Sequence, residues 1–142
     1  MNERLTPNFW LSELVATNHR TIANVPSGQA LVNLRQVLAP GLQQIRDLLK
    51  TPLLISSGYR SPELNAAVGG QTSSQHILGL AADFTSPDYG TPMAVCRAIL
   101  ASSIQFDQLI HEYGRWVHVS FSASPRRQVL TIDAKGTRRG LA

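Results

Sequence analysis

The sequence predicts one α+β domain, and three observations support this fold class. The chain has 142 residues, the usual length of a single domain. Patterns typical of helices fill most of its first hundred residues, and its last third consists mainly of short strand-like segments. Helices followed by a strand-rich end favour a layered α+β fold. No linker or internal repeat divides the chain, so we expect residues 1–142 to form one domain.

Helix signals occur in four places along the chain. A short helix is predicted over residues 12–16, with a serine at its start. Over residues 27–49, apolar residues recur every three or four positions, and Pro40 is expected to kink or split this helix. A serine or threonine followed by proline then marks the starts of helices over residues 61–68 and 91–100.

Five short segments rich in apolar residues predict the strands of a sheet. The first two lie between predicted helices, and the other three follow the last helix. The segments span residues 52–56, 80–84, 108–112, 116–121 and 129–133.

The composition excludes several classes of protein. Hydrophobic residues make up 43% of the chain and charged residues 15%, which argues against a disordered polyelectrolyte. No run approaches the ~20 consecutive apolar residues of a membrane span, so we expect no membrane insertion. The single cysteine, Cys96, rules out an internal disulfide and a cysteine-rich zinc site, and we expect it to pack in the core. Any metal must therefore be bound by histidines and carboxylates.

The net charge of +4 comes from 13 basic and 9 acidic residues. Such an excess either attracts a polyanion or belongs to a solvated surface. Five basic residues lie within residues 126–142, which we call the basic tail. A nucleic-acid surface would interleave aromatic with basic residues, and the basic tail contains no aromatic residue, so we expect no nucleic-acid partner. Asp107 and Asp133 flank strands and are expected to be solvated. The basic residues of this tail are Arg126, Arg127, Lys135, Arg138 and Arg139.

Two histidines and one aspartate form the most informative set of residues. His76 and Asp83 lie close together in the sequence, and His118 follows 35 residues after Asp83. Catalytic zinc sites use three nitrogen or oxygen ligands of these types and leave one position open. Gly79, between the first two, would allow a tight passage from a loop into a strand. On spacing alone, a structural histidine and a solvated aspartate are an equal alternative, because coordination requires convergence in space.

The residues around this set resemble the M15 zinc peptidases, which cut bacterial peptidoglycan peptides. The family shares its fold with the D-alanyl-D-alanine carboxypeptidases and the signalling domain of hedgehog proteins. The resemblance implies helices packed on an antiparallel sheet, Zn²⁺ as the cofactor, and peptidoglycan stem peptides as the partner. It also implies that zinc is held by His76, Asp83 and His118. Three segments carry it, in the family's order: Ser57-Gly58-Tyr59-Arg60-Ser61-Pro62, Ser74-x-His76-x-x-Gly79-x-Ala81-x-Asp83 and Trp116-x-His118.

The resemblance assigns roles to two further polar residues. Arg60 matches an arginine that contacts a substrate carboxylate or carbonyl, and a guanidinium suits both binding and oxyanion stabilisation during catalysis. The alternative is an arginine in a surface turn. Ser74 matches a recurrent polar position and is expected to orient substrate or a ligand, with a neutral loop serine as the alternative.

Metal-assisted hydrolysis also needs a general base near the metal. Many members of the wider group have an acidic residue three positions before the last zinc histidine, where this chain has Arg115. The hedgehog domain has a glutamate six positions before it, which matches Glu112. A hairpin loop of three residues would pair Glu112 with Trp116 and put Glu112 on the face of His118. A loop of two residues would bring His111 opposite His118. Glu112 is therefore the predicted base, and His111 is the alternative base and a predicted substrate-binding residue.

Together these observations predict a zinc peptidase acting on peptidoglycan, as a carboxypeptidase or an endopeptidase. Trp116 either lines the substrate cleft or packs beside it. The alternative function is a non-catalytic, zinc-stabilised module that binds cell wall or protein on the same scaffold. The chain has no export signal, so we expect a phage lysin or virion-associated enzyme, or a processed periplasmic form. We expect a monomer.

Overall fold

Within residues 2–142, which the computed structural model describes, five α-helices and eight β-strands follow one another along the chain. The helices are α1 (Leu11–Leu14), α2 (Gly28–Asn33), α3 (Ala39–Leu49), α4 (Pro62–Ala67) and α5 (Pro92–Ala101). The strands are β1 (Arg4–Thr6), β2 (Phe9–Trp10), β3 (Leu54–Ser57), β4 (Ala81–Thr85), β5 (Gln108–Glu112), β6 (Trp116–Ser120), β7 (Gln128–Asp133) and β8 (Gly136–Arg139).

The main sheet has six strands in the order β3-β4-β6-β5-β7-β8. Its neighbouring strands are antiparallel except for β5 and β7, which run parallel. This architecture confirms the predicted α+β class. Three strands were not predicted from the sequence: β8 at one edge of the sheet, and β1 and β2, which form a separate small hairpin.

The predicted starts of α4 and α5 are confirmed. The Ser61 hydroxyl accepts a hydrogen bond from the backbone N–H of Leu64, and the Thr91 hydroxyl accepts one from Ala94. In both helices a proline occupies the first turn, where its missing N–H costs nothing. The first helix instead begins at Leu11, because the Glu13 carboxylate accepts from the backbone N–H of Trp10.

Pro40 affects the long helical segment without breaking it. A π-helical stretch, Leu34–Leu38, joins α2 to α3, so the chain stays helical from Gly28 to Leu49. Proline has no N–H to donate and its ring collides with the carbonyl four residues earlier, and a wider turn just before it relieves this conflict. The predicted split is therefore a local change of helix type.

The hydrophobic core lies between the helices and one face of the sheet. Leu38, Leu42 and Ile45 of the helical segment are fully buried, as is Phe84 of β4. Cys96 lies in the same core, which confirms its predicted packing role. None of the helices in the described residues is long and apolar enough to cross a membrane.

The basic residues near the C-terminus do not form a tail. Arg126 makes an ion pair with Asp107, and Arg138 makes one with Asp133. Arg127 donates to the backbone carbonyl of Ser102, among others. β7 and β8 bring these cations back onto the fold, where Arg126, Arg127 and Arg138 have partners.

Candidate metal centre and cleft

Three parts of the chain bring His76, Asp83 and His118 together. Asp83 lies on β4 directly opposite His118 on β6, so both side chains project from the same face of the sheet. His76 comes from the irregular segment between α4 and β4. One potential ligand atom of each residue lies within 4.8 Å of the others. The convergence that spacing alone left open is therefore present in the structure.

The distances within the set suit a small tetrahedral cation. The Asp83 Oδ1 atom lies 3.4 Å from His76 Nε2 and 2.9 Å from His118 Nδ1. Ligand atoms about 2.0–2.1 Å from a tetrahedral zinc ion lie roughly 3.3 Å apart, so the first distance already fits and the second needs only a small adjustment. Two imidazoles and one carboxylate are donors that zinc accepts, and three protein ligands leave one position open.

The orientation of the His76 ring is fixed by a backbone group. Its Nδ1 lies 2.7 Å from the carbonyl oxygen of Gly58, which can only accept a hydrogen bond, so Nδ1 must carry the proton. This leaves the lone pair of Nε2 directed at Asp83 and available to a metal. A histidine ligand whose second nitrogen donates to a carbonyl is a common arrangement in metal sites.

Asp83 is held in its charged form. Burial would raise the pKa of this carboxyl group, but the hydrogen bond from His118 and the proximity of His76 hold the pKa well below its ordinary value. A charged carboxylate is the form that binds a cation. The Asp83 side chain is only 11% exposed, so that charge is poorly screened by water.

Gly79 allows residues 68–80, the segment that carries His76 (the His76 segment), to pack closely against α2. Its φ angle is +72°, in the left-handed region that favours glycine, and an added Cβ would lie 2.5 Å from the carbonyl oxygen of Ala30. The predicted tight passage from loop to strand is therefore present between His76 and Asp83.

The hairpin register between β5 and β6 is the one expected for a three-residue loop. Glu112 pairs with Trp116, and Ile110 pairs with His118. The Glu112 Oε1 atom lies 4.0 Å from His118 Nδ1. Burial and the charge of Asp83 raise the pKa of Glu112, while the charges of His118 and Arg60 act in the opposite direction and do not cancel the increase.

His111 does not reach this site. Side chains alternate along β5, and Gln108, Ile110 and Glu112 face a cavity that His111 does not line. Leu109, on the same side of the strand as His111, packs in the core instead. The alternative that puts His111 opposite His118 is therefore wrong, and His111 lies outside the cavity, because its strand position turns it to the opposite face of the sheet.

A cavity of about 760 Å³ lies above His76, Asp83 and His118, which we call the metal set. It is lined by most of the other residues that the sequence predicts to contact substrate. Arg60, Ser74 and Trp116 all line it. Trp116 therefore lines the cleft, and its buried indole N–H has no hydrogen-bond partner among the described residues. The Ser74 hydroxyl accepts from the backbone N–H of His76, so this serine also supports the histidine segment.

Arg60 lies within the site and not in a free surface turn. Its guanidinium donates to Ser57 and Asn65, and its Nη2 lies 3.5 Å from the Asp83 carboxylate. The side chain is 17% exposed and lines the cavity. The guanidinium is therefore held rigidly beside the metal set, where it faces any ligand in the cleft.

The expectation that Asp107 is solvated is wrong. It is only 3% exposed, and its carboxylate accepts hydrogen bonds from Gln75 and from Arg126. The Arg126 guanidinium is the main cause that lowers the pKa of Asp107 to about 2. No local signal reveals this, because its partners are 19 and 32 residues away.

Comparison with known proteins identifies a family that the chain resembles. A family model described as Peptidase M15 matches residues 7–120 of the chain, which include every member of the metal set. No curated protein matches the sequence at a significant level.

Proposed function

The chain belongs to the peptidase M15 family, and we propose that it is a zinc-dependent peptidase that hydrolyses peptide bonds in bacterial peptidoglycan. The observation that carries this proposal is the convergence of His76, Asp83 and His118 beside the Glu112 carboxylate in one cleft. This arrangement combines a set of metal ligands, a carboxylate and a space for substrate, which are the parts that metal-assisted hydrolysis needs.

His76, Asp83 and His118 would hold the zinc ion through one atom each. Zinc bound there would supply a Lewis acid for the scissile carbonyl and would make a nearby water easier to deprotonate. The protein's own contribution is a fixed geometry: the Gly58 carbonyl orients His76, and the strand pairing of β4 with β6 fixes Asp83 beside His118. Because these restraints exist before substrate binds, little reorganisation is needed during the reaction.

Glu112 is the proposed general base. Its raised pKa makes it a better proton acceptor than an ordinary carboxylate. It shares the cleft with the metal set and is close to His118, so a water molecule between the two groups would lie within its reach. After accepting that proton, Glu112 is placed to donate it to the leaving amine.

Arg60 is the proposed substrate-binding cation. It is held by Ser57 and Asn65, so it loses little conformational freedom when it contacts a substrate carboxylate or the developing oxyanion. Ser74 and Trp116 would contact the substrate along the cleft. A terminal carboxylate at Arg60 would give carboxypeptidase action, and an internal carbonyl there would give endopeptidase action.

The alternative is a non-catalytic, zinc-stabilised module that binds cell wall or a protein. One observation favours it: Arg115 occupies the position where many relatives have an acidic residue, and it is exposed in the hairpin loop. Such a module would bind zinc through the same three residues but would release no peptide.

The decisive experiment compares Glu112→Gln with the wild-type protein. We expect the variant to keep one zinc per chain and to lose at least about 100-fold in turnover, because a single general base contributes 10²–10⁴-fold. Zinc is measured by elemental analysis, and turnover by mass spectrometry of fragments from defined peptidoglycan, with and without a chelator. That spectrum also identifies the bond that is cut.

Glu63→Gln is the matched control, because Glu63 is an exposed glutamate on α4 outside the cavity. It should retain full turnover. Wild-type protein that binds zinc but releases no fragment would refute the peptidase and support the binding module. Full turnover in Glu112→Gln would refute the role of Glu112 alone.

A further inference from the structure

A buried carboxylate outside the metal set is connected to it through one side chain. The Asp107 Oδ2 atom accepts a hydrogen bond of 2.9 Å from Gln75 Nε2, and Gln75 directly precedes His76. We propose that Asp107 is a positioning residue: through Gln75 it holds the His76 segment in the conformation that binds zinc. This inference rests on the zinc site of the proposed function and adds a determinant of its metal affinity.

Asp107 is well suited to act as an anchor because its backbone and side chain are both fixed. Its N–H donates to the Ser120 carbonyl of β6 over 2.8 Å, and its carbonyl accepts from Gln128 of β7 over 2.9 Å. Arg126 donates to the carboxylate from three nitrogen atoms: its backbone N–H, Nε and Nη2, at 2.8–3.0 Å. A group held on all sides in this way transmits a restraint instead of moving with its partner.

The segment that carries His76 needs such a restraint. It contains turns but no helix or strand, so no regular ladder of backbone hydrogen bonds fixes it. The Gln75 carbonyl accepts from Leu78 and Leu80, which closes the segment on itself. The Gln75 side chain then ties that closed segment to the sheet through Asp107. The same residue therefore shapes the turn and attaches it.

The expected consequence is a loss of zinc affinity in addition to any loss of stability. Without the bond from Gln75, the His76 Nε2 atom would spend less time at the position that the other two ligands require. Groups that orient metal ligands change metal affinity by 10–100-fold, and Asp107 acts one residue further away, so we expect a loss of about 10-fold. A purely structural role would lower the stability of the metal-free protein and leave the affinity unchanged.

The test measures zinc dissociation constants by competition with a chromophoric chelator, using full-length metal-free protein. Gln75→Met keeps the side-chain length and removes the donor, and Asp107→Asn weakens the anchor. The double variant is measured as well. Asp133→Asn is the matched control, because Asp133 also makes a two-point ion pair with an arginine, Arg138, but has no contact with the His76 segment. The Tm of each metal-free variant is recorded in parallel.

We expect both single variants to bind zinc about 10-fold more weakly, and Asp107→Asn to add little in the Gln75→Met background, since the two residues act in series. Asp133→Asn should bind zinc like the wild type. Unchanged affinity in Gln75→Met would overturn the proposal, as would additive effects of the two substitutions. Wild-type protein that binds no zinc would overturn it together with the metal site. Zinc binding without peptidase activity would refute only the proposed function, because affinity is measured without substrate.

Discussion

Replacing Gly79 with alanine should destabilise the protein through two separable effects. The first is conformational: Gly79 has a φ angle of +72°, and a residue with a Cβ loses about 1 kcal/mol in this region. The second is steric. The added Cβ would lie 2.5 Å from the carbonyl oxygen of Ala30 and 3.1 Å from Leu34 Cγ. The first of these atoms belongs to the backbone of α2 and cannot rotate away.

The magnitude follows from adding the two effects. Overpacking of this kind typically costs 1–3 kcal/mol, so the total for Gly79→Ala is about 2–4 kcal/mol. Gly69→Ala separates the effects, because Gly69 has a similar φ angle of +75° but no atom within 4 Å of an added Cβ. We expect only the conformational loss of about 1 kcal/mol there.

The measurement is urea unfolding of both variants and the wild type, followed by tryptophan fluorescence in the presence of a chelator. The chelator removes any contribution of metal binding to the free energy of unfolding. The difference between the two variants then reports the contact with Ala30. If Gly79→Ala were no less stable than Gly69→Ala, the close packing of the His76 segment against α2 would be refuted.

Three further predictions follow from the structure. The pKa of Asp107 is lowered from 3.8 to about 2 in the folded protein, so its ion pair stabilises the fold by about 1–2 kcal/mol above pH 3.8, and this stabilisation is lost as the pH falls through 2. The free energy of unfolding of Asp107→Asn should lack this dependence on pH, and a pH profile identical to that of the wild type would contradict the prediction. Burial raises the pKa of the Cys96 thiol to about 12, so iodoacetamide should modify the native protein at neutral pH far more slowly than the unfolded protein, as measured by intact mass. Rapid labelling of the native protein would show that the thiol is accessible. Zinc at 100 times its dissociation constant should add about 2.7 kcal/mol to the free energy of unfolding; His118→Ala should abolish that gain, and an equal rise in Tm in this variant would place the bound metal elsewhere.

The features that the sequence predicted correctly depend on local chemistry. The caps at Ser61 and Thr91 are recognisable because the capping oxygen, the following proline and the N–H it accepts from all lie within four residues. The pairing of Glu112 with Trp116 was predictable because a short hairpin loop fixes the register of both strands. Gly79 could be identified as a special backbone position because the conformation of a tight turn is also a local property.

Other features depend on residues that are distant in the sequence. Nothing near Asp107 indicates that it is buried, because Gln75 and Arg126 reach it from separate parts of the chain. The pairing of Arg138 with Asp133 depends on β8, a strand whose polar sequence gave no signal of its own. The parallel pairing of β5 with β7 likewise results from a long connection and not from a turn motif.

The sequence by itself determined which residues of this protein are chemically able to hold a metal, and which loop and strands carry them. Only the tertiary structure decided that His76, Asp83 and His118 meet, that Glu112 joins them, and that His111 faces away. The physical reason is that side-chain chemistry and turn geometry are local properties, whereas coordination and burial depend on distances set by packing between elements far apart in the chain.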